Sequence, residues 1–263
     1  MDLSIFVVDA FTSKQFAGNS AAVIPLEQWL EAEVMQKVAL ENNLSETAFI
    51  KEISNNKYEI RWFSPITEID FCGHATLAAS FVLFNYFGAN DEIEFFTKAV
   101  GSLTVVQSED SRIEMSFPNQ APEIVNDYPA ALLKGISINP IRVLKNRQAY
   151  FAILSSEEDV KNVTYNSEQL KLLAPYDVVV TAKSSDYDFI SRYFWPTNGS
   201  DEDPVTGSIH AGLVPYWSQE LSKSILVAYQ ASSRGGELYC RLENDRVLVS
   251  GYAVLYLRGT IYL

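Results

Sequence analysis

Two stretches of this chain repeat the same order of residue types, and the repeat restricts the possible folds more than any other feature. Each stretch runs from an aromatic, strand-like segment through a proline and an acidic loop into a helix of small and apolar residues. Aligning Gly73 with Gly207 puts the copies 134 residues apart (207 − 73 = 134), which is about half of the 263-residue chain. Two similar halves predict a pseudo-symmetric protein with one shared cleft.

The helix predicted over 73–87 has no polar face. A helix that is apolar nearly all round is expected in the core and not on the surface. It opens with Gly73 and His74, whose backbone N–H groups lack intrahelical partners and can therefore hold an anionic group. The second copy predicts a similar helix over 205–221, with Gly207 near its start. A core helix whose glycine only permits close packing explains the same residues, and this alternative stays open.

Most of the remaining chain is typical of strands, with few long helices. We therefore predict an α+β protein of two pseudo-symmetric domains, each a rolled antiparallel or mixed sheet around one central helix. The segment Pro118 to Pro122, with two prolines after a strand, indicates a crossing between domains. This gives domains 1–117 and 118–251, with a strand over 252–263 that can return to the first domain.

The composition limits the classes of partner. With 33 acidic and 20 basic residues the net charge is −13, which disfavours nucleic acid and anionic membranes but leaves a small anionic ligand possible. Cys72 and Cys240 form no disulfide framework, and His74 and His210 are the only histidines, so no metal site rich in histidine is expected. The start of the chain is typical of a strand and not of a signal peptide, and no apolar run is long enough to span a membrane. A cytoplasmic location is expected.

One acidic residue falls within a predicted strand. Apolar spacing predicts a helix over 27–41, and Leu44 to Ile50 follows as a strand. Alternation places Glu46 on the same face as Ala48. If that face is buried, the loss of hydration disfavours the charged carboxylate and makes Glu46 a stronger base. If Phe49 faces the core instead, Glu46 faces water, and the pattern leaves both alternatives open.

Five short motifs resemble, in their order, the PhzF family of phenazine-biosynthesis isomerases. They run from the first strand to the last: Asn19 to Val23 (NSAAV), Asn43 to Phe49 (NLSETAF), Gly73-His74, Asp203 to Ser208 (DPVTGS) and Arg258 to Leu263 (RGTIYL). The resemblance implies the diaminopimelate-epimerase-like fold, with the site between the two domains. It also implies a cofactor-independent isomerase, commonly a homodimer, that moves a proton on a small carboxylate-bearing substrate.

The resemblance further implies roles for particular residues. The positions that match the family's catalytic residues are Glu46, His74 and Asp203. The positions predicted to bind substrate are Gly73, Gly207, Ser208, Gln230 and Asn19. No metal or other cofactor is expected. An aspartate before a proline at a helix start is also typical of a helix cap, so Asp203 keeps a structural alternative.

One departure from related racemases affects the choice of base. A resemblance to the racemases of the epimerase branch would imply two catalytic thiols, one at the start of each central helix. Cys72 occupies the first position here, but the second is Thr206, whose hydroxyl cannot act as a thiolate does. We therefore expect Glu46 to be the base. A racemase or epimerase using Cys72 with Glu46 remains the alternative, as do a buried, inert Cys72 and a non-catalytic binding protein with the same fold.

Overall fold

A computed structural model describes residues 1–197 and 201–263 of the chain. The described residues divide into two compact units. Unit 1 consists of Met1–Ser116 with Ser250–Leu263, and unit 2 of Phe117–Val249. Within the described residues, the longest apolar helices are too short to cross a membrane.

Unit 1, all of whose residues are described, contains nine strands and two helices. The helices are α1 (Ala32–Asn42) and α2 (Gly73–Tyr86). The strands are β1 (Asp2–Ala10), β2 (Asn19–Leu26), β3 (Glu46–Ser54), β4 (Lys57–Phe63), β5 (Glu68–Ile69), β6 (Glu92–Phe96), β7 (Ser102–Gln107), β8 (Ile113–Pro118) and β18 (Ala253–Tyr262).

Unit 2 contains nine strands and four helices in its described residues. The strands are β9 (Glu123–Ile124), β10 (Arg142–Lys145), β11 (Ala149–Ile153), β12 (Asp177–Lys183), β13 (Phe189–Phe194), β14 (Glu202–Asp203), β15 (Ile225–Gln230), β16 (Gly236–Glu243) and β17 (Arg246–Gly251). The helices are α3 (Ala130–Gly135), α4 (Glu157–Asn162), α5 (Ser167–Lys171) and α6 (His210–Leu221).

The strands pair in the same order in both units. In unit 1, β1 pairs antiparallel with β2, β2 parallel with β3, β3 antiparallel with β4, and β4 parallel with β6. In unit 2 the pairing follows the same sequence of antiparallel, parallel, antiparallel and parallel between the successive strands β10, β11, β12, β13 and β15. One long apolar helix packs on each sheet, α2 on β1, β2 and β3, and α6 on β15 and β16. The predicted fold class, α+β with two pseudo-symmetric mixed sheets, is confirmed.

The last strand completes the sheet of unit 1. β18 pairs antiparallel with β1 along its whole length, from Tyr262 opposite Asp2 to Ala253 opposite Ala10. In unit 2 the corresponding partner of β10 is the short strand β9, which precedes it in the chain. Unit 1 is therefore assembled from both ends of the sequence, whereas unit 2 is one continuous segment.

The same ion pair follows the fourth core strand of each unit. Arg61 on β4 donates from Nε and Nη2 to both carboxylate oxygens of Glu68, at 2.7 Å each. Arg192 on β13 holds Glu202 in the same way, at 2.8 Å. Each guanidinium also lies 5.2 Å from the ring of the phenylalanine two residues further along its strand. A bidentate pair fixes the relative orientation of both side chains, so it anchors the loop that leads to the central helix.

Two predicted helices begin later than expected. α1 starts at Ala32 and not at residue 27, because Trp29 packs as part of a loop against the core beneath α1 and donates from Nε1 to Glu59 at 2.9 Å. α6 starts at His210 and not at residue 205. The residues before it form a tight turn, in which the His210 N–H bonds to the Gly207 carbonyl at 3.2 Å. Gly207 thus lies in a turn ahead of α6, whereas α2 begins at Gly73 as predicted.

A close approach of α6 to its sheet depends on Gly212. A Cβ at this position would lie 2.5 Å from Phe151 Cζ and 2.9 Å from Asn146 Nδ2. We expect Gly212→Ala to lower the free energy of unfolding by about 1–3 kcal/mol, as overpacking does, although helix propensity alone favours alanine by about 1 kcal/mol. Chemical denaturation measures the difference.

The matched control for this substitution is Gly259→Ala. The nearest atoms to a Cβ at Gly259 lie at 3.7 and 3.8 Å, which is ordinary van der Waals contact. Its free energy of unfolding is expected to stay within about 0.5 kcal/mol of the wild type. Equal losses in the two variants would contradict the steric role of Gly212.

Candidate active site

Glu46 is the first residue of β3 and is 1% exposed. The residues from Glu46 to Ile50 are all buried, since β3 contacts both α1 and α2. Phe49 belongs to the core formed with α1, and alternation turns Glu46 to the other face. The sequence left open whether Glu46 or Phe49 faces the core. Both are buried, because a strand covered on both faces buries every side chain.

His74, in the first turn of α2, is the ionic partner of Glu46. Its Nε2 lies 2.9 Å from Glu46 Oε2, and both side chains are buried. The other ring nitrogen, Nδ1, lies 3.1 Å from Asn19 Nδ2 and 3.4 Å from Cys72 Sγ. No described residue donates an aligned hydrogen bond to Glu46 Oε2. This oxygen therefore has a neighbouring charge but keeps a lone pair that can accept a proton.

Burial affects His74 and Cys72 in different ways. Burial acts to lower the pKa of His74, but the neighbouring Cys72 sulfur and Glu46 carboxylate outweigh it, and the pKa lies well above that of a free histidine. Burial, with the Glu46 charge, raises the pKa of Cys72 to about 11. These directions favour an imidazolium at His74 and a protonated thiol at Cys72. The ion pair is neutral overall, which reduces the cost of burying Glu46 in its charged form.

The same three residues form a possible metal-binding group. One ligand atom each from Glu46, Cys72 and His74 lies within 4.8 Å of the others. Thiolate, imidazole and carboxylate are all ligands of zinc in proteins. The expectation of no metal was based on the small number of histidines. Counting histidines does not detect a group such as this one, in which one histidine is joined by a cysteine and a glutamate.

In unit 2, the predicted residues Asp203 and Gln230 hold one loop. The Asp203 carboxylate accepts a hydrogen bond from the Thr206 hydroxyl. The buried amide of Gln230 accepts from the Thr206 N–H at 2.9 Å and donates to the Asp203 carbonyl at 2.8 Å. These bonds close the loop from Asp203 to Thr206 on itself. Gln230 binds the backbone of its own unit here, and its contact with substrate stays a prediction.

Ser208 is partly exposed and lies at the end of a hydrogen-bonded chain. Gln148 Nε2 lies 3.1 Å from Ser208 Oγ and 3.0 Å from Tyr193 Oη. Tyr193 in turn donates to Asp177 Oδ2 at 2.5 Å. The sequence analysis did not find Gln148, Tyr193 or Asp177. One feature of the sequence could have indicated Asp177. Like Glu46, it is an acidic residue at the first position of an apolar strand.

His210, the second histidine, has a structural role. Its Nδ1 lies 2.9 Å from the Thr206 carbonyl, four residues earlier. At the matching position of unit 1 (76 + 134 = 210), the Thr76 hydroxyl bonds the Cys72 carbonyl at 2.6 Å. Burial without an acidic partner lowers the pKa of His210 to about 4, so this ring is neutral at physiological pH.

The predicted site residues thus form one group in each unit. Asn19, Glu46 and His74 meet at the start of α2, whose first residue is Gly73. Gly207 lies in the turn before α6 with Ser208, and Asp203 and Gln230 hold the loop that leads into that turn.

Comparison with known proteins finds a family and full-length relatives. The family model described as PhzC-PhzF, phenazine biosynthesis-like protein, matches residues 8–259. An uncharacterized isomerase of Pseudomonas aeruginosa is 45% identical over 264 residues, and the match covers 100% of both chains.

Two solved structures illustrate the range of the structural likeness. A phenazine biosynthesis protein of the PhzF family from Enterococcus faecalis has a TM-score of 0.95 at 42% identity, and the match covers 100% of both chains. A hydroxyproline epimerase from Agrobacterium vitis has a TM-score of 0.65 at 10% identity, covering 99% of this chain and 92% of that one. The second likeness concerns the fold alone, and it agrees with the predicted epimerase-like architecture.

Glu46→Gln is expected to lower the pKa of His74. The substitution keeps the size of the side chain but removes one of the two groups that favour the imidazolium, so burial, which acts to lower the pKa, is opposed by Cys72 alone. An NMR titration of the ring nitrogens measures both histidines at once. His210 serves as the internal control, because its pKa depends on burial and the Thr206 carbonyl.

The sign of the accompanying effect on stability follows from the raised pKa. Protonation of His74 stabilises the fold at pH values below the unfolded pKa of about 6.5, and this contribution is lost as the pH rises through the higher folded value. An unchanged His74 pKa in Glu46→Gln, or an equal change at His210, would contradict the ion pair.

Proposed function

Because this chain belongs to the PhzC-PhzF family of phenazine biosynthesis-like proteins, we propose that it is a cofactor-independent isomerase that moves a proton on a small substrate bearing a carboxylate. Full-length relatives named as isomerases support the reaction class. One observation carries the mechanism: the buried carboxylate of Glu46 lies 2.9 Å from His74, with a lone pair available on that oxygen.

Glu46 is the proton acceptor in this mechanism. Its carboxylate removes a proton from a substrate carbon, and the electron pair of the broken C–H bond moves into the adjacent conjugated acid. The proton then returns to another carbon, and the anion reverts to a carboxylic acid system with its double bonds rearranged. Atoms and electrons balance without an oxidant or reductant. A positioned base of this kind contributes about 10²–10⁴-fold to the rate.

His74 stabilises the charged carboxylate of Glu46 before the first of these two steps, and Glu46 carries the proton between them. Its imidazolium offsets the carboxylate charge when Glu46 is ionised, and it can donate a proton to the substrate anion when Glu46 is protonated. We propose an assisting role for Asp203 in the same proton transfers, with its hydrogen bond to Thr206 as the alternative, purely structural role.

The negative charge that develops on the substrate needs hydrogen-bond donors. The first backbone N–H groups of a helix carry partial positive charge and lack intrahelical partners. We propose that the start of α2 at Gly73 and the turn at Gly207-Ser208 bind the carboxylate and its enolate-like form. Donors held in place before the reaction stabilise such an anion without reorganisation.

The racemase or epimerase alternative depends on Cys72. Its sulfur contacts the same imidazole ring that Glu46 contacts, so a Cys72–Glu46 acid and base pair is sterically reasonable. With a pKa raised to about 11 by burial, Cys72 is suited to donate a proton and not to remove one. The homodimer and the cytoplasmic location stay predictions.

Proton exchange in D₂O tests the proposal directly. Amino acids and cyclic or conjugated carboxylates are incubated with the protein and followed by NMR. We expect at least one compound to incorporate deuterium, and we expect Glu46→Gln to slow this exchange by about 10²-fold or more because the base is lost. Glu33→Gln on the exposed face of α1 is the matched control, and its exchange rate should equal that of the wild type.

Other outcomes assign other functions. Exchange that survives Glu46→Gln would show that Glu46 is not the base. Deuterium at Cα with loss of optical activity, abolished by Cys72→Ser, would indicate the racemase. A compound that binds unchanged and without exchange would contradict an isomerase and favour a binding protein.

A further inference from the structure

The two units carry an acidic residue at the same place in their sheets. Ala21 of β2 lies opposite Glu46 of β3, and Ala149 of β11 lies opposite Asp177 of β12. Both pairs are the first of a parallel ladder. Asp177 therefore occupies in unit 2 the position that Glu46 occupies in unit 1.

The neighbouring strands confirm this correspondence. The next ladder begins with Thr47 opposite Phe63 in unit 1 and with Val178 opposite Phe194 in unit 2. On these two pairs of strands each residue of unit 2 stands 131 positions after its counterpart (177 − 46 = 131, and 194 − 63 = 131). The register of the core strands is thus shared without a shift.

The helix-start residues correspond as well, but the contact between acid and helix start differs. Aligning Gly73 with Gly207 places His74 on Ser208. In unit 1 the acid touches the helix-start residue directly, at 2.9 Å. In unit 2, the two side chains of Tyr193 and Gln148 connect Asp177 with Ser208.

The direction of every hydrogen bond in this chain follows from its first member. A carboxylate only accepts, so the Tyr193 hydroxyl gives its hydrogen to Asp177, at 2.5 Å. The Tyr193 oxygen then accepts from the amide nitrogen of Gln148, at 3.0 Å. The second hydrogen of that nitrogen goes to Ser208 Oγ, at 3.1 Å. Because Ser208 accepts here, its own hydrogen is left to be donated elsewhere.

The surrounding structure keeps the chain in this direction. Burial raises the pKa of Asp177 to about 6, while the hydrogen bond from Tyr193 acts to lower it and so favours the charged, accepting carboxylate. The turn that carries Gln148 is fixed by Asn146 Oδ1, which accepts from the backbone N–H groups of Gln148 and Ala149 at 2.8 and 3.0 Å. Tyr193 is 2% exposed.

We propose that Asp177, Tyr193 and Gln148 are positioning residues that orient the Ser208 hydroxyl as a hydrogen-bond donor toward the substrate anion. The inference rests on the proposed function, which assigns Ser208 a contact with that anion. A hydroxyl turned the other way would present its lone pairs to a negative charge. The second unit thus uses its acidic residue to fix the direction of one hydroxyl, whereas the first uses Glu46 to move protons.

Gln148→Glu tests the direction of the chain. The substitution keeps the shape of the side chain, but an ionised carboxylate at this position only accepts, so Ser208 turns its hydrogen toward it and away from the substrate. With the carboxylate that incorporates deuterium as the probe, we expect kcat/KM for exchange to fall about tenfold or more, as for the loss of a hydrogen bond to a charged group. Ser208→Ala should have a similar effect.

The double variant distinguishes positioning from a general structural role. If Gln148 acts through Ser208, adding Gln148→Glu to Ser208→Ala lowers kcat/KM no further, because the hydroxyl is already absent. Gln219→Glu, an exposed change of the same type on α6, is the control for added charge and should leave kcat/KM unchanged. Thermal unfolding establishes that each variant is folded.

The possible failures are separable. If no compound exchanges, or if Ser208→Ala leaves kcat/KM unchanged, the proposed function or its use of Ser208 is wrong. If Ser208→Ala lowers kcat/KM but Gln148→Glu does not, the orienting chain is wrong. Effects that multiply in the double variant would overturn it as well, since they would show that Gln148 acts independently of Ser208.

Discussion

An ionised carboxylate inside a protein loses its hydration, and this costs several kcal/mol unless an opposite charge stands beside it. Glu46 is in this situation at the covered start of β3, and much of unit 1 serves to place His74 next to it. The helix that carries His74 must lie within the core, which explains why α2 is apolar on every side. It must also approach β2 and β3 closely, which its small side chains allow. Removing either charge would leave the other buried without compensation.

The two units show how one scaffold can support two kinds of chemistry. They share the strand order, the bidentate arginine–glutamate pair and a side chain that bonds the carbonyl four residues before it at the helix start. They differ in what stands between the acidic residue and the helix. A direct contact with an imidazole suits proton transfer, since both groups can change protonation state. A phenol and an amide between acid and hydroxyl suit hydrogen-bond donation, because neither of them titrates near neutral pH.

The repeat, the fold class and the start of α2 could be predicted from sequence because local composition determines them. The starts of α1 and α6 could not. Trp29 fits a helical apolar spacing but packs from a loop. The loop that leads into the turn before α6 is held by Gln230, which lies more than twenty residues later in the chain. The contact of Glu46 with His74 also depends on strand register and on the position of α2, so spacing alone did not reveal it. The chain from Asp177 to Ser208 joins four separate segments, and only the folded sheet brings these together.

The return of β18 to β1 has a consequence for the order of folding during synthesis. Unit 2 is one continuous segment that ends at Val249, and all its strands have been translated before β18 exists. Unit 1 is translated first but leaves one edge of β1 open until residues 253–262 have left the ribosome. An open strand edge is a site for wrong pairing with other chains. The half that carries Glu46 therefore cannot close its sheet until β18, which follows the whole second half in the chain, has been made.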